Sequence, residues 1–499
     1  MKKLSFIVYA LVCAAMLSGC MPLSVNLQRA DQSVSLPTPD VQAIEPVIGD
    51  HLSAVSRYVP LHFVSGDQQM ISFSRAISAE PGQNIVEQAL LTLLRSEGTG
   101  DARAPFPEGT RLNGLERNGN VVVVDLSIDA RNAESDQQLM WMREVIAATI
   151  IGLDGVEYVN VLIAGREEGL LSLPAGAISE VHDDLTARWT RLSAERELLN
   201  GESASVERNV ILYYPTRDGQ YIAPVSGKVR ITENDFVTPV IAELMKAPAE
   251  SCLLSPLPQN VQVLAAPAKI VETENGRRMI RLAFDSSLIA MLEREGLSEW
   301  QLYASLTYTL TGFVPDVDGL IVMQGDGQLT RTERDGEEIK FTGGEMSRND
   351  YPDAVCRLAT VCMSAQEGGL ASVQRPMEQL DAESPRALLG ELFKGPAEWE
   401  AGAARMLPGG VSIDDVLGIR IAGGEAAVNL SSNFYRCCQG LTVQQEKNLI
   451  YAVVNTLTAL PSVSSVRFQV EGETVDYLVS AVYLRGSLLR NPGIIRSAE

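Results

Sequence analysis

The stretch TLTALPSVSSVRFQVEG, residues 456–472, decides the fold that the sequence predicts. It predicts the last turn of a helix, a tight turn and a strand, in which Val466, Phe468 and Val470 alternate with polar residues. Two stretches of the same length also begin with Thr and end with Gly, TIIGLDGVEYVNVLIAG at 149–165 and TLTGFVPDVDGLIVMQG at 309–325. Because this marker stretch returns at intervals of a domain length, the sequence predicts three copies of one domain.

An apolar strand and a first helix come before each marker stretch. The strands are expected at residues 58–64, 209–215 and 358–364, which are rich in β-branched and aromatic residues. In the third copy, Ser384 and Pro385 are expected to begin the helix and Gly395 to end it. These signals predict a β-strand followed by a helix at the start of every domain.

A hairpin and a second, capped helix complete each copy. The hairpins are expected to have type I′ turns at Asn118-Gly119, Asn275-Gly276 and Gly423-Gly424. The second helices are expected to begin with capping boxes, formed by Ser135 with Gln138, Ser298 with Gln301 and Thr442 with Gln445. The predicted order is β-α-β-β-α-β. Two helices on one face of a small mixed sheet make each domain an α+β sandwich.

Three segments fall outside the repeated unit. Residues 177–199 predict an amphipathic helix that packs on the first or second domain, with a partner-binding helix as the alternative. Asp335-Gly336 predicts a solvated hairpin, and residues 477–484 are expected to add an edge strand to the third domain. The expected boundaries are a leader at 1–20, a tether at 21–50, domains at 51–170, 206–330 and 353–490, a linker helix at 171–205 and a linker hairpin at 331–352.

The N-terminus has the pattern of a bacterial export signal. Two lysines precede an apolar run at residues 4–16, which is short for a membrane span. The four residues that follow resemble a lipobox: Leu17, Ser18, Gly19 and Cys20. This resemblance implies cleavage before Cys20 and a diacylglycerol thioether on its sulfur, with an uncleaved membrane anchor as the alternative. The proline-containing residues that follow predict an extended tether.

Length and charge limit the classes of function. The chain has 499 residues, of which 45% are hydrophobic, and a formal net charge of −22. The length beyond the tether suits three domains of about 150 residues each, and the apolar content suffices for packed cores. The negative charge argues against nucleic-acid binding and against adhesion to anionic lipid through a basic patch.

Five cysteines lie beyond the leader and the lipobox, namely Cys252, Cys356, Cys362, Cys437 and Cys438. An odd number cannot form a complete set of disulfides. A metal or redox cluster would require the neighbouring pairs to meet in space. The sequence favours the alternative, in which they are small buried apolar residues.

Catalytic motifs are scarce. The three histidines, His51, His62 and His182, lack the spacing of a zinc protease, and no nucleophile elbow or phosphate-binding loop follows a strand. No metal, cofactor or catalytic residue is therefore predicted.

Six polar residues receive structural interpretations. Asp125 and Asn429 occupy matching strand positions, which is typical of a structural role, and Glu167-Glu168 and Glu337-Glu338 are expected as solvated surface charges. The first alternative is an envelope lipoprotein that binds or senses a glycan or peptide between domains, because domain interfaces often bind ligands. A cell-wall enzyme is the less favoured alternative.

The third copy carries the motifs of a family resemblance. LFKGP at 392–396, MLPGGV at 406–411 and the marker stretch at 456–472 together resemble the GerMN domain of sporulation and spore-germination lipoproteins. Matches to the same pattern cover roughly residues 57–166, 208–327 and 358–474, with the first copy the most diverged.

This resemblance implies a lipid-anchored, extracytoplasmic protein without catalytic activity. It implies help in assembling the multiprotein complex that joins mother cell and forespore membranes. The implied partners are the membrane, reached through the N-terminal lipid, and envelope or sporulation-complex proteins. Self-association is a further expectation, and no nucleic-acid partner is expected.

Overall fold

The computed structural model describes residues 45–201, 204–259 and 264–496, which belong to one body that begins at Glu45. Cys20 and the rest of the predicted leader and lipobox, together with tether residues 21–44, lie outside the described residues. Within the body, one order of elements occurs three times. A long hairpin is followed by a helix and then by a three-stranded sheet, whose last two strands are connected by a helical segment. We call these the first module (55–163), the middle module (206–324) and the third module (357–470).

The elements up to the middle module are, in chain order, β1 (His51–Leu52), β2 (Val55–Val64), β3 (Met70–Ala79), α1 (Ile85–Leu94), β4 (Gly98–Thr99), β5 (Ala102–Arg103), β6 (Leu112–Asn118), β7 (Val121–Leu126), α2 (Asp136–Ile150), β8 (Tyr158–Ile163) and α3 (Leu185–Leu199). The middle module contains β9 (Val206–Pro215), β10 (Ile222–Ile231), α4 (Thr238–Leu244), β11 (Leu264–Glu272), β12 (Arg278–Phe284), α5 (Leu288–Glu295), α6 (Glu299–Thr311) and β13 (Gly319–Gln324).

Four short strands connect to the third module: β14 (Gly327–Gln328), β15 (Arg331–Arg334), β16 (Glu337–Lys340) and β17 (Glu345–Met346). The third module and the end of the chain contain β18 (Arg357–Ala365), β19 (Leu370–Met377), α7 (Pro385–Lys394), β20 (Ala403–Ala404), β21 (Val416–Ala422), β22 (Glu425–Leu430), α8 (Ser432–Cys438), α9 (Val443–Leu457), β23 (Ser465–Val470), β24 (Leu488–Leu489) and β25 (Ile495–Arg496). Single 3₁₀ turns lie at Ile128–Asn132, Leu153–Gly155, Thr342–Gly344, Arg348–Asp350, Asp381–Glu383, Ile413–Asp415 and Pro492–Ile494.

The three-stranded sheets share one topology. Their first two strands are antiparallel and their last two are parallel, in the orders β6-β7-β8, β11-β12-β13 and β21-β22-β23. A parallel pair needs a crossover connection, which the second helix of each module supplies. The opening hairpins β2–β3, β9–β10 and β18–β19 belong to separate sheets.

The predicted α+β class is confirmed, but each module has one strand more than the predicted β-α-β-β-α-β order. The additional strand is the second of the opening hairpin, β3, β10 or β19. These strands have mixed burial, and β10 and β19 contain Pro224 and Pro376. Their apolar alternation is therefore weak, and proline lowers the strand signal further.

Strand β7 joins the cores of the first two modules because both of its faces are buried. Val122 and Val124 lie in the core of the first module, whereas Val121 and Val123 lie in that of the middle module. All four side chains are at most 2% exposed. The two modules thus share an apolar interface rather than a solvated linker.

The Ser or Thr predicted to cap the second helix does so through its side chain in the first and third modules, but not in the middle module. Ser384 caps α7, with Pro385 as its first residue, and Thr442 forms a complete capping box with Gln445. Ser135 also caps α2, although Gln138 accepts from Glu134 N instead of closing the box. The capping box predicted at Ser298 is wrong, since the Ser298 side chain makes no capping hydrogen bond. Gln301 instead donates to the carbonyl oxygens of Thr216 and Tyr221.

The hairpin turns differ from one another. Gly423 and Gly424 both have positive φ and connect directly paired strands, as a type I′ turn requires. The turn predicted at Asn118-Gly119 is one residue off: Asn118 pairs with Val121, so the two turn residues are 119 and 120. At Asn275-Gly276 the connection spans residues 273–277, and of these five residues Gly276 alone has positive φ.

The segments outside the modules pack closely on them. Helix α3 begins at Leu185, later than predicted, and Leu185 and Leu192 are buried in the first module's core. Asp335 and Gly336 form the predicted two-residue turn between β15 and β16. Residues 477–484 form no strand, which corrects that prediction. The amides of Val479, Ser480 and Ala481 donate instead to the buried carboxylate of Glu446.

Candidate functional site

The Thr that begins each marker stretch binds the opening strand of its own module. Thr149, Thr309 and Thr456 lie on α2, α6 and α9, and the Oγ1 atom of each accepts a backbone hydrogen bond at 3.0–3.1 Å. The donors are His62 N, Tyr213 N and Cys362 N. All three Thr residues are at most 1% exposed. A buried strand amide would otherwise lack a partner, so this Thr fastens helix to strand in every module.

In two modules, the backbone N–H of the Gly that ends the marker stretch also donates a hydrogen bond to a side chain of the module. Asp125 Oδ1 accepts from Gly165 N at 2.7 Å, and Asn429 Oδ1 accepts from Gly472 N at 2.8 Å. The matching positions of Asp125 and Asn429 therefore serve the fold, as the sequence indicated. The equivalent position in the middle module is Ala283, which cannot make this bond.

Asn118 joins all three modules. It lies at the end of β6, and its side chain is 7% exposed. Its Nδ2 donates to Pro224 O of the middle module at 2.7 Å, and its Oδ1 accepts from Leu358 N of the third module at 2.9 Å. The adjacent Arg117 N donates to Gln379 Oε1 of the third module. The end of β6 is thus the point where the three modules meet.

The N-terminal segment, residues 45–52, packs on the third module. Strand β1 pairs in parallel with β21, and Val47 is buried, with its N–H donating to Gln469 and its carbonyl accepting from Asn429. Asp50 receives two hydrogen bonds from Arg386, at 2.6 and 2.8 Å, and these lower the pKa of its carboxyl group. His51 and Leu52, placed in the first domain by the predicted boundary, therefore contact the third module.

A cleft of about 620 Å³ lies between the first and middle modules. We call it the Arg348 cleft. Residues 113–116 of β6 and residues 164–166 after β8 line one side, and Tyr308, Arg277 and residues 347–349 line the other. Arg348 lies 4.5 Å above the Tyr308 ring, and Tyr213 packs against Tyr308 with ring centroids 5.1 Å apart.

Burial shifts the charges at this cleft. Burial raises the pKa of Glu116, which accepts from the Tyr213 hydroxyl and lies 3.6 Å from Arg348 Nη1. Burial also raises the pKa of Asp125. For Arg348, burial opposes the charge, but the neighbouring Tyr213 and Glu116 raise the pKa of the guanidinium. No sequence pattern connects Glu116 with Tyr213, which lies 97 positions away, or with Arg348.

The expectation that Glu167-Glu168 are solvated is wrong. Glu167 is fully buried, with Arg143 Nη1 3.2 Å from its Oε1, and burial raises its pKa to about 7. Burial also raises the pKa of Glu168 to about 7, against the opposing effect of Arg166. The middle module covers this loop, since Glu167 N donates to Thr311 O and Glu167 O accepts from Asp316 N. Glu337 and Glu338 are exposed, as expected.

The five cysteines carry free thiols. Cys252, Cys356, Cys362 and Cys438 are buried in module cores, whereas Cys437 is partly exposed. Across the described ranges, no group of His, Cys, Asp and Glu side chains has the arrangement of a metal site. In the same ranges, none of the helices has both the length and the apolar character that crossing a bilayer demands. Cys20 and its neighbours lie outside this part of the chain.

Comparison with protein families matches two segments of the chain. The model of the Germane family, described as sporulation and spore germination, matches residues 60–169 and 361–476. These segments contain most of the first and third modules. The middle module falls between them, and its relation to the other two rests on the shared element order and on the Thr309 contact.

Comparison with individual proteins also finds relatives of this chain. The spore germination protein GerM of Bacillus subtilis (strain 168) is 25% identical over 240 residues, which cover 48% of this chain and 62% of GerM. The solved tandem GerMN domains of the B. subtilis sporulation protein GerM are 21% identical, with a TM-score of 0.24, over 59% of this chain and 99% of that one. A putative lipoprotein from Clostridium perfringens is 14% identical, with a TM-score of 0.19, over 26% of this chain and 89% of that one.

Proposed function

This chain is a GerMN-type protein, and from that premise we propose that it acts in sporulation or spore germination as a non-catalytic assembly protein of the cell envelope. The description of the matching family and the similarity to GerM support the process. The match spans 62% of GerM, so the role of that whole protein enters here as part of the proposal.

One observation supports an assembly role above the others: the polar positions that the modules share are used to hold backbone. Thr149, Thr309 and Thr456 bind strand amides, and Asp125 and Asn429 bind the marker glycines. A catalytic role would require a set of reactive groups converging on one point. The shared residues instead support three rigid modules, joined at Asn118, that present their surfaces in fixed relation to one another.

Attachment to the membrane is the second part of the proposal. We propose that Cys20 carries the lipid, that the body lies on the outer face of the cell membrane, and that residues 21–44 connect the two. A lipid anchor concentrates the body at one surface, so that binding by one module raises the effective concentration of the others. Envelope or sporulation-complex proteins are the proposed partners, and self-association is a further part of the proposal.

The test is affinity purification of the tagged chain from sporulating cells after cross-linking. We expect envelope proteins to be recovered with the native chain and to be lost with Asn118→Ala, which removes the hydrogen bonds that join the three modules at this point. Asn120→Ala is the matched control, because Asn120 lies two residues away and makes an exposed contact with Glu157. Cys20→Ala should remain unprocessed and without lipid.

Two results would contradict the proposal. Normal leader removal and lipid attachment in the Cys20→Ala protein would exclude the anchor. Hydrolysis of peptidoglycan by the purified protein, abolished by one carboxylate substitution, would exclude a non-catalytic role.

A further inference from the structure

The Arg348 cleft has one wall formed by an open strand edge. Strand β6 pairs with β7 in the order β6-β7-β8, so its other edge has no strand partner within its sheet. Arg117 N on this outer edge donates to Gln379 Oε1 of the third module. Because outward and inward backbone groups alternate along an antiparallel strand, the N–H and carbonyl of Leu115 also point outward, towards the cleft. An extended peptide could pair with this edge.

The carboxylates of the cleft are already satisfied from within the body. Glu116 accepts from the Tyr213 hydroxyl, and Asp125 accepts from Gly165 N and Asn113 Nδ2. Asp318 accepts from Arg166 Nη1 at 2.7 Å and from Arg278 N at 2.9 Å. These groups therefore have little remaining capacity to recognise a hydrogen-bond donor on a ligand.

The guanidinium groups retain donors. Arg348 uses Nε for Thr311 and Nη2 for Tyr308 O, while Nη1 lies 3.6 Å from Glu116 and the guanidinium also interacts with the Tyr213 side chain. Arg166 uses Nε and Nη1, for Glu168 and Asp318, and its Nη2 has no hydrogen bond within the described part of the chain. The cleft thus offers charge-assisted donors, which bind carboxylates strongly.

Charged side chains of both signs line the cleft. Arg166, Arg277 and Arg348 line the cleft together with Glu116, Asp125 and Asp318. Burial raises the pKa of Glu116 and of Asp125. The volume of about 620 Å³ lies in the range of small-molecule and peptide sites.

We propose that the Arg348 cleft binds the free carboxyl terminus of an extended peptide, whose backbone pairs with β6 at Leu115 and whose carboxylate is held by Arg348 and Arg166. Recognition of this kind combines strand addition with capture of a terminal carboxylate. The Tyr308 ring under Arg348 fixes the guanidinium plane from below. This inference does not depend on the proposed assembly role.

The test is isothermal titration calorimetry of the full chain in detergent with tri-L-alanine and with tri-L-alanine amide. We expect the acid to bind at least about tenfold more tightly than the amide, because only the acid offers a carboxylate to the guanidinium groups. N-acetyl-L-lysyl-D-alanyl-D-alanine is a third probe, and tighter binding of it than of tri-L-alanine would assign the site to wall-type peptides rather than protein termini.

Variants separate recognition from folding. Arg348→Gln should weaken binding of the acid about tenfold and leave the amide unaffected, and Arg348→Lys should restore part of the loss. Since Arg348 also binds Thr311 and Tyr308, Arg166→Gln, at the second residue that holds the carboxylate, is the second variant, and it decides the matter if Arg348→Gln does not fold. The exposed Arg331→Gln, on the β15–β16 hairpin, is the matched control and should bind as the native chain does.

Three results would overturn the proposal. They are equal affinity for acid and amide, no binding of the acid at millimolar concentration, and unchanged binding of the acid by folded Arg348→Gln or, where that variant does not fold, by Arg166→Gln.

Discussion

Thr309 Oγ1 accepts a hydrogen bond from Tyr213 N at 3.0 Å, in the module that the Germane family model does not match. The same contact joins Thr149 to His62 and Thr456 to Cys362 in the two matched modules. Each donor is the fifth residue of its predicted opening strand. A single buried hydroxyl thus fulfils the same structural role in all three modules.

Thr456→Val tests that role. Valine has the same shape but no acceptor, so the buried Cys362 amide loses its partner, and we expect a loss of about 1–3 kcal/mol in the free energy of unfolding. Urea unfolding measures it. Thr458→Val is the matched control, since the Thr458 hydroxyl donates to Val454 O within its own helix and we expect a smaller change. Equal losses in both variants would refute the assigned role.

Asn118→Ala should loosen the contacts between modules. It leaves Pro224 O and Leu358 N without their partner, and each unpaired buried group costs about 1–3 kcal/mol. Hydrogen exchange at residues 222–226 and 356–360 should become faster, while exchange inside α2 stays slow. Asn120→Ala should change neither region. Uniformly faster exchange across the first module would show instead that Asn118 stabilises only its own hairpin.

Stability should fall as pH rises from about 4.5 towards 7. Burial raises the pKa of Glu167 and Glu168 to about 7 in the folded chain, so between these pH values the folded state binds more protons than the unfolded state. Their contribution is complete below pH 4.5 and is lost as pH rises through 7. Glu167→Gln should reduce the fall in the free energy of unfolding between pH 4.5 and 7, by on the order of 1–3 kcal/mol. Chemical unfolding at several pH values measures it, and an unchanged slope in the variant would contradict the assignment.

Gly418→Ala should release the N-terminal segment. A Cβ atom at Gly418 would lie 2.4 Å from Gly49 O and 2.7 Å from Gly49 N, and a backbone contact of this kind cannot yield without displacement. We expect proteolysis within residues 45–54 to become faster while the third module stays folded. Gly402→Ala is the control, since a Cβ there has no atom within 4 Å. Unchanged proteolysis in Gly418→Ala would show that the segment is held by other contacts.

The sequence predicted the features that depend on neighbouring residues. The Ser384 cap, the Thr442 capping box and the Gly423-Gly424 turn each involve residues at most a few positions apart. Local hydrogen bonding and φ angles determine such features, so their signals are present in short stretches of sequence.

The features that were missed or misjudged depend on residues far apart in the chain. Gln301 has the spacing of a capping box, yet it binds carbonyls 80 and 85 positions earlier. Glu167 has the sequence context of a solvated loop, but the middle module covers it. The residues of the Arg348 cleft come from two modules, and no short-range pattern connects them. The predicted domain boundaries and the lipidation of Cys20 stay predictions.

The N-terminal segment determines how a mechanical load would enter the body. Between Glu45 and strand β2, the chain is fastened to the third module at Val47, Asp50 and His51. A force that pulls on the chain ahead of Glu45 would therefore act first on β21, β22 and Arg386, and would reach the first module only after these bonds had broken. The third module would be the first to bear the tension.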